Sequence, residues 1–393
     1  MRLEIAALRI ALDSIPEGQS LTSFLASVLV LVLLSSVAAA QPGGQALPVI
    51  DSAGTDERGR IVVNGKLFLP ILMYDVPVDG ESLNRFREHH FNVLSCPAED
   101  AEALRRHGLY AAAHSNGKSG LDLGGVLFGV GMDSPALYWK ENLLEKSRAD
   151  LANMRKLFPR RPILHAIGYW EAEPEGVFSN RLPRPERYEE LVAALDVSAP
   201  YLYPLPYQPL RSVGQAVGRA AAASGGGKAL LPVLQLFVWK PGDRYPSPAE
   251  LKCMVWLSLI HGADGIGYYS YNYVSGKHGT NIAAAQPELW KSVKAINAEI
   301  KVIGEFLLRA QPDPSVEVVA PESAVEWRAA TDGAGVLLML TNTSPAPCRV
   351  RIRWPSEAAE LQRIGGDKTV HVRRHALDLT LRATESLALR GTR

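Results

Sequence analysis

Short apolar runs alternate with amphipathic segments through residues 60–311 of the 393-residue chain. The runs lack polar alternation, which is typical of parallel strands covered on both faces, and the segments between them repeat apolar residues at helical spacing. Strands are predicted at residues 61–75, 92–96, 109–114, 126–131, 162–167, 197–203, 230–237 and 265–271. Helices are predicted at residues 81–89, 98–107, 143–158, 185–195, 210–224, 248–260 and 287–308. The first strand region begins with a hairpin, because Asn64-Gly65 is a strong two-residue turn signal.

The clearest unit of this pattern is residues 230–272. An apolar run is followed by a polar loop, and then Ser247 and Glu250 have the spacing of a capping box, with Pro248 at the first helical position. The helix ends before Asp264, which leads into a second strand. The unit is therefore strand, helix, strand, and both Glu250 and Asp264 are predicted to be structural residues.

The number and order of these elements indicate an α/β protein with a (β/α)8 TIM barrel, whose functional residues lie at the carboxyl ends of the strands. We expect the barrel to be irregular, with its third helix reduced, because residues 115–125 after His114 contain only loop signals. A doubly wound open sheet is the alternative. No glycine-rich nucleotide loop follows the first strand, which counts against that alternative.

The pattern changes after the barrel region, which is predicted to span residues 60–311. Residues 315–393 contain short alternating segments separated by turn residues, without helical periodicity. This pattern is typical of antiparallel strands with one face buried. We predict a small C-terminal antiparallel β-sandwich domain there.

The amino terminus has a different character. Residues 21–40 carry no charge, contain an apolar run and close with small residues before Gln41-Pro42, which predicts a signal peptide over residues 1–40. An uncleaved membrane anchor and a start codon assigned too early are alternatives. Residues 41–59 are rich in Gly, Pro, Ser and Asp and are predicted to be a linker. We therefore expect a secreted or periplasmic protein with no stable membrane insertion after cleavage.

Charge and cysteine content narrow the classes of function. The formal net charge is +1 and no basic block with interleaved aromatics occurs, which argues against nucleic acid as a partner. Cys96, Cys253 and Cys348 lie in apolar surroundings and are predicted to be buried thiols. The sequence has no metal-binding, P-loop or serine-esterase motif, so we predict no cofactor and no metal site.

Polar and aromatic side chains gather at the predicted carboxyl ends of the strands, where a barrel would bring them to one rim. Such side chains suit a polar, ring-shaped ligand, and we expect an oligo- or polysaccharide. The candidate substrate-binding residues are Asp75, His114, Trp170, Tyr203, Gln235, Trp239, Tyr269, Tyr271 and Asn272. Each aromatic residue has packing as its alternative role. Gln235 and Asn272 could instead satisfy backbone groups at the strand ends.

Several fragments in order along the chain resemble secreted bacterial (β/α)8 glycoside hydrolases of the β-galactosidase and cellulase clan. They are Asn64-Gly65-Lys66, His90-Phe91-Asn92-Val93, residues 154–164, Gln235-Leu236-Phe237 and residues 262–270. The resemblance extends from Arg60 to the end of the chain and includes a C-terminal β-sandwich. It implies hydrolysis of O-glycosyl bonds by two carboxylates, the acid/base residue lying at the end of the fourth strand.

The acid/base position of that clan often reads Asp-Glu-Pro, and the matching triplet here is Asp133-Ser134-Pro135. Serine cannot protonate a glycosidic oxygen, so the candidate catalytic pair becomes Asp133 as general acid and Glu171 as base or nucleophile. Asp133 could instead stabilise a turn, and Glu171 could be a solvated loop charge. The alternative function is a catalytically degenerate barrel that binds glycans without hydrolysis, and a third is a structural envelope protein.

Overall fold

The computed structural model describes residues 45–115, 124–131, 143–168, 185–240, 242–274, 277–278, 281–321, 324–356 and 358–392. From Gln45 onward the chain forms one compact unit.

A small antiparallel sheet covers the amino-terminal end of the barrel. It consists of β1 (Ala53–Thr55), β2 (Ile61–Val63) and β3 (Lys66–Leu67), and β2 and β3 form the predicted hairpin, with Asn64 and Gly65 both at positive φ. Ile50 and Ile61 are buried and pack among the side chains of the barrel interior. Within the predicted linker of residues 41–59, β1 pairs with β2, and Ile50 packs against the barrel interior.

Parallel strands form a closed barrel. The strands are β4 (Ile71–Met73), β5 (Val93–Pro97), β6 (Tyr110–His114), β7 (Val126–Val130), β8 (Ile163–Gly168), β9 (Val197–Tyr201), β10 (Ala229–Leu230), β11 (Val233–Gln235) and β12 (Ile266–Tyr269). Pairing of β12 with β4 and of β8 with β9 closes the sheet, which confirms the TIM barrel and excludes an open doubly wound sheet. β10 and β11 both pair with β9 and together form the seventh position of the barrel.

Helices follow most of the barrel strands. They are α1 (Gly80–Glu88), α2 (Ala101–Arg106), α3 (Leu143–Leu157), α4 (Pro185–Ala194), α5 (Arg211–Ala223), α6 (Pro248–Ile260), α7 (Ile282–Ala285) and α8 (Pro287–Leu307). A short hairpin of β13 (Tyr273–Val274) and β14 (Lys277–His278) follows β12. Ser247 and Glu250 form the predicted capping box at the start of α6. Most of the loop in which the third helix was expected to be reduced, residues 116–123, lies outside the described residues.

The C-terminal residues form one continuous antiparallel sheet. Its strands are β15 (Gln311–Pro312), β16 (Glu317–Val319), β17 (Val325–Thr331), β18 (Gly335–Asn342), β19 (Cys348–Arg353), β20 (Ala358–Arg363), β21 (Thr369–Arg373), β22 (Ala376–Leu381) and β23 (Ser386–Thr392). They pair in the order β15-β17-β18-β23-β20-β21-β22-β19-β16. Apolar residues from across this sheet share one core, so the sheet curls on itself. The prediction of an antiparallel β domain is confirmed, with a single curled sheet in place of two stacked sheets.

Helix α6 joins the barrel to the C-terminal sheet. Its residues are apolar on nearly all sides, as expected of a helix buried on every face. The Trp256 indole N–H donates to the backbone oxygen of Leu387 at 3.0 Å, and the Thr341 hydroxyl donates to Cys253 Sγ at 3.3 Å. This close packing makes the two domains one structural unit.

The three cysteines are free and buried, as predicted. Burial raises the pKa of the Cys96 thiol to about 12, and it raises the pKa of Cys253 to about 12 as well. Both thiols are therefore neutral and inert at neutral pH. Among the described residues, no helix is long and apolar enough to cross a membrane.

Candidate functional site

The carboxyl ends of the barrel strands bring several of the predicted residues to one mouth. Tyr74 follows β4, His114 ends β6, Tyr203 lies two residues past β9 and Tyr269 ends β12. Because side chains alternate along a strand, these positions continue the rows that fill the barrel interior, and the three tyrosines pack against that interior cluster. The rings therefore lie above the barrel core and line its mouth.

Four half-buried aromatic side chains form a continuous surface there, which we call the aromatic arc: Tyr74, Tyr203, Trp239 and Tyr269. The Tyr203 ring lies 5.8 Å from Trp239 and 6.1 Å from Tyr269, and Tyr269 lies 6.2 Å from Tyr74. These residues follow β9, β11, β12 and β4, which are consecutive in the closed sheet. The arc thus occupies one side of the mouth.

Two buried rings support the arc from below. Tyr201 stacks on Tyr203 at 5.1 Å, and Phe237 contacts Tyr203 edge-on at 5.0 Å. The indole N–H of Trp239 donates to the backbone oxygen of Tyr203 at 3.3 Å, which orients the indole. A partly exposed aromatic surface fixed in this way binds a ligand with little loss of side-chain entropy.

His114 and Ser95 form a polar pair at the mouth on neighbouring strands. His114 Nε2 lies 2.5 Å from the Ser95 hydroxyl, and Ser95 is nearly fully buried. The imidazole keeps an exposed surface, yet desolvation at the mouth lowers the pKa of His114 below its ordinary value. The ring is therefore neutral at pH 7 and offers one donor and one acceptor.

Gln235 has a structural role. It is fully buried, its Oε1 accepts from the Leu205 N–H at 2.9 Å, and its Nε2 donates to the backbone oxygens of Leu205 at 2.9 Å and Phe237 at 3.1 Å. These bonds tie the loop after β9 to the end of β11. Of the two roles that the sequence left open, satisfying backbone groups is the one its contacts support, because its amide is occupied and closed to a ligand.

Tyr271 also lies away from the mouth. Its side chain is 1% exposed, and its ring packs against Phe86 at 4.8 Å and Trp290 at 5.3 Å, on α1 and α8. Arg85 Nη1 donates to its hydroxyl at 3.3 Å. The expectation of a rim residue does not fit this packing, because β12 ends at Tyr269 and the alternation that would carry Tyr271 inward stops there.

Asp75 and Asn272 are half-buried residues near the aromatic arc in the chain. Asp75 directly follows Tyr74 and has a positive φ of 59°, so the backbone turns sharply at the end of β4. Asn272 follows Tyr271, whose backbone N–H donates to the oxygen of Tyr74 at 3.1 Å. The loops carrying both residues are therefore linked by a backbone hydrogen bond.

The two candidate catalytic residues, Asp133 and Glu171, and the candidate Trp170 lie outside the described residues. Within the described part, sequence reasoning missed Tyr74, Ser95 and Phe237 as components of the mouth. The alternation of inward-facing positions was the sequence signal for Ser95 on β5 and for Phe237 just past β11. In the same described part, no group of three His, Cys, Asp or Glu side chains is arranged to hold a metal.

No protein-family profile matches the sequence, and no curated protein matches it. Solved structures do match the fold. A β-L-arabinopyranosidase of glycoside hydrolase family 27 from Geobacillus stearothermophilus, in complex with arabinose, has a TM-score of 0.50 and 11% identity over 83% of this chain and 97% of that one. A structure described as a glycoside hydrolase has a TM-score of 0.48 and 11% identity, covering 89% and 98%. A family 5 glycoside hydrolase from Bacteroides vulgatus has a TM-score of 0.46 and 11% identity, covering 87% and 94%.

The protein therefore has a TIM-barrel fold like that of glycoside hydrolases, followed by a C-terminal β domain. At this sequence identity the likeness concerns the fold alone. The chemistry of the site depends on the side chains at the mouth.

Proposed function

We propose that this protein binds carbohydrate at the barrel mouth and acts on it as a glycoside hydrolase. The aromatic arc is the observation that carries this proposal. Sugar rings have apolar faces that stack on aromatic side chains. They also have hydroxyl groups that need hydrogen-bond partners, which the exposed His114 offers at the same mouth. The β-L-arabinopyranosidase with the same fold, solved with arabinose, adds a precedent for a sugar ligand on this scaffold.

The proposed chemistry is hydrolysis of an O-glycosyl bond by two carboxyl groups. Asp133 would protonate the leaving oxygen, and Glu171 would act as base or as nucleophile, as in the β-galactosidase and cellulase clan that the sequence resembles. A separation of about 5 to 5.5 Å between the two carboxyl groups would favour retention, and about 6.5 to 9.5 Å inversion. A neutral His114 would hydrogen-bond a sugar hydroxyl without adding charge to the site.

The second candidate function is glycan binding without hydrolysis. Ser134 motivates it, since a serine stands where the clan carries its acid/base glutamate. The aromatic arc would serve binding equally in both cases. In either form the protein would act outside the cytoplasm, secreted or periplasmic, because residues 1–40 have the pattern of an export signal.

One experiment separates these functions. Aryl glycosides and plant and bacterial polysaccharides are assayed for hydrolysis and binding with the wild-type protein, Asp133→Asn, Trp239→Ala and the control Trp327→Ala, which removes an exposed tryptophan of the β domain. Hydrolysis that Asp133→Asn abolishes while binding persists supports the enzyme. Saturable binding without turnover supports the binding protein. Full activity in Asp133→Asn would show that Asp133 is not the general acid. Equal binding by the two tryptophan variants would show that the aromatic arc is not the binding site.

A further inference from the structure

A cavity lies at the amino-terminal end of the barrel, opposite the mouth. It encloses about 250 Å³, and its charged lining residues are Arg58, Arg60, Lys228, Asp264 and Arg328. Lys228 and Asp264 lie just before β10 and β12, and Arg58 and Arg60 lie between β1 and β2. Arg328 reaches the cavity from β17 of the C-terminal sheet. The cavity is therefore built by both domains and is separate from the aromatic arc.

Arg328 carries a positive charge, and no carboxylate among the described residues forms an ion pair with it. Its Nη1 donates to the backbone oxygen of Leu259 at 2.8 Å. Burial lowers the pKa of Arg328 below its ordinary value, and Asp264 only partly offsets this effect. A desolvated guanidinium without a paired anion is costly, and Arg328 is one of the residues that line the cavity.

The other charges around the cavity are also predominantly positive. Arg60 pairs with Asp56, its Nε donating to Asp56 Oδ2 at 2.7 Å, and Arg58 Nη2 donates to the backbone oxygen of Ala310 at 2.7 Å. Lys228 Nζ donates to the backbone oxygen of Leu195 at 2.7 Å. Arg58 and Lys228 thus retain their full charge, since a carbonyl oxygen accepts hydrogen bonds without neutralising the donor.

Among the described residues that line the cavity, Asp264 is the one with a carboxylate. Its Oδ2 accepts from the Leu230 N–H at 3.0 Å. Part of the residue's surface remains open to the cavity, but the carboxyl lies deep among protein atoms, and desolvation raises its pKa to about 7. The charged groups that act on it are Arg328, Arg60 and Asp56. Asp264 can therefore take up a proton near neutral pH and stop repelling a neighbouring anion.

We propose that this cavity binds a small oxyanion, a carboxylate or phosphate group, between the guanidinium of Arg328 and the cationic side chains of the barrel. A guanidinium presents parallel N–H donors that match two oxygens of one such group. The volume exceeds that of such a group and leaves room for bridging water. The ligand would contact both domains at once, so its binding would also stabilise their junction.

The test is calorimetric titration of the whole protein with inorganic sulfate, inorganic phosphate and acetate, with sodium chloride as the ionic-strength control. We expect saturable binding of one anion per chain, weakened at least about tenfold in Arg328→Gln, which is the loss of one charge-assisted contact. Arg351→Gln is the matched control, because that arginine pairs with Asp378 on the exposed face of the β domain. Preference for acetate identifies a carboxylate ligand, and preference for phosphate a phosphate ligand.

Titration with sulfate also tests the role of Asp264, because the charge of sulfate stays constant across neutral pH. The affinity of the wild-type protein for sulfate is expected to fall as pH rises through about 7, and that of Asp264→Asn to be nearly constant. If Arg328→Gln fails to fold, Arg58→Gln supplies the same comparison from the exposed side of the cavity. Absence of saturable binding by all three anions, or equal binding by Arg328→Gln and Arg351→Gln, would overturn the proposal.

Discussion

The rings of Tyr203 and Tyr269 are nearly parallel at the barrel mouth, with centroids 6.1 Å apart and an angle of 22° between their planes. Tyr203 lies two residues past β9 and Tyr269 ends β12, and β11 separates these two strands in the sheet. Phe237, just past β11, contacts both rings edge-on and holds them in place. A ligand that stacks on one ring therefore binds a surface that is already formed in the unliganded protein.

Truncating the aromatic arc is expected to weaken carbohydrate binding. Trp239→Ala removes a half-buried ring of the arc, and the loss of one stacking contact corresponds to about a tenfold rise in the dissociation constant. Titration with the oligosaccharide that binds the wild-type protein measures this change. Trp327→Ala, in the β domain, is expected to bind like the wild type, and an equal loss in both variants would contradict the placement of the site.

Tyr269 and Tyr271 lie two residues apart and are expected to respond in opposite ways. Tyr271→Ala removes a ring that is 1% exposed between α1 and α8, and we expect a loss of about 3 to 5 kcal/mol in the free energy of unfolding. Tyr269→Ala removes a half-buried ring, with a smaller loss of stability and a larger loss of affinity. Urea unfolding and sugar titration of both variants measure the contrast. If folded Tyr271→Ala lost more affinity than Tyr269→Ala, Tyr271 would belong to the binding site.

Gln235 is expected to contribute to stability through its three hydrogen bonds to the backbone. Gln235→Ala leaves the buried N–H and oxygen of Leu205 without these partners and should cost about 2 to 4 kcal/mol of unfolding free energy. Gln362→Ala, at an exposed position of β20, is the control and should change stability by less than about 0.5 kcal/mol. Equal unfolding curves for the two variants would refute the structural role.

Asp264 makes stability depend on pH with a defined sign. Its pKa is about 7 in the folded protein, above its ordinary value, so its stabilising contribution is complete at low pH and is lost as pH rises toward about 7. Asp264→Asn keeps an acceptor for the Leu230 N–H and removes the titration. We expect this variant to gain on the order of 1 to 3 kcal/mol over the wild type at pH 8 and little at pH 4. Thermal unfolding across this range tests the prediction, and a gain that is equal at both pH values would contradict it.

The barrel was predictable because its determinants are local. Ser247 and Glu250 identify the start of α6, and Asn64-Gly65 identifies the hairpin between β2 and β3, since each depends on backbone groups a few residues away. These signals, together with the alternation of apolar runs and helical segments, were enough to predict the closed parallel sheet. The antiparallel character of the C-terminal domain followed in the same way from alternation, as in β19, where buried and exposed residues alternate strictly.

The roles of single side chains depended on distant contacts and were less accessible. Gln235 hydrogen-bonds Leu205, thirty positions earlier, and no pattern near residue 235 indicates that partner. Tyr271 packs on α1, far away in the chain, because β12 ends two residues earlier than its apolar run suggests. The curl of the C-terminal sheet is likewise set by packing between strands distant in sequence, which alternation alone leaves open.

The most direct test of carbohydrate binding at the mouth is a crystal structure of the full protein soaked with the oligosaccharide that it binds most tightly. The proposal predicts a sugar ring stacked on the aromatic arc, within reach of His114 on the facing strands. A sugar bound only on the C-terminal sheet or at the amino-terminal cavity, with the mouth unchanged, would contradict it.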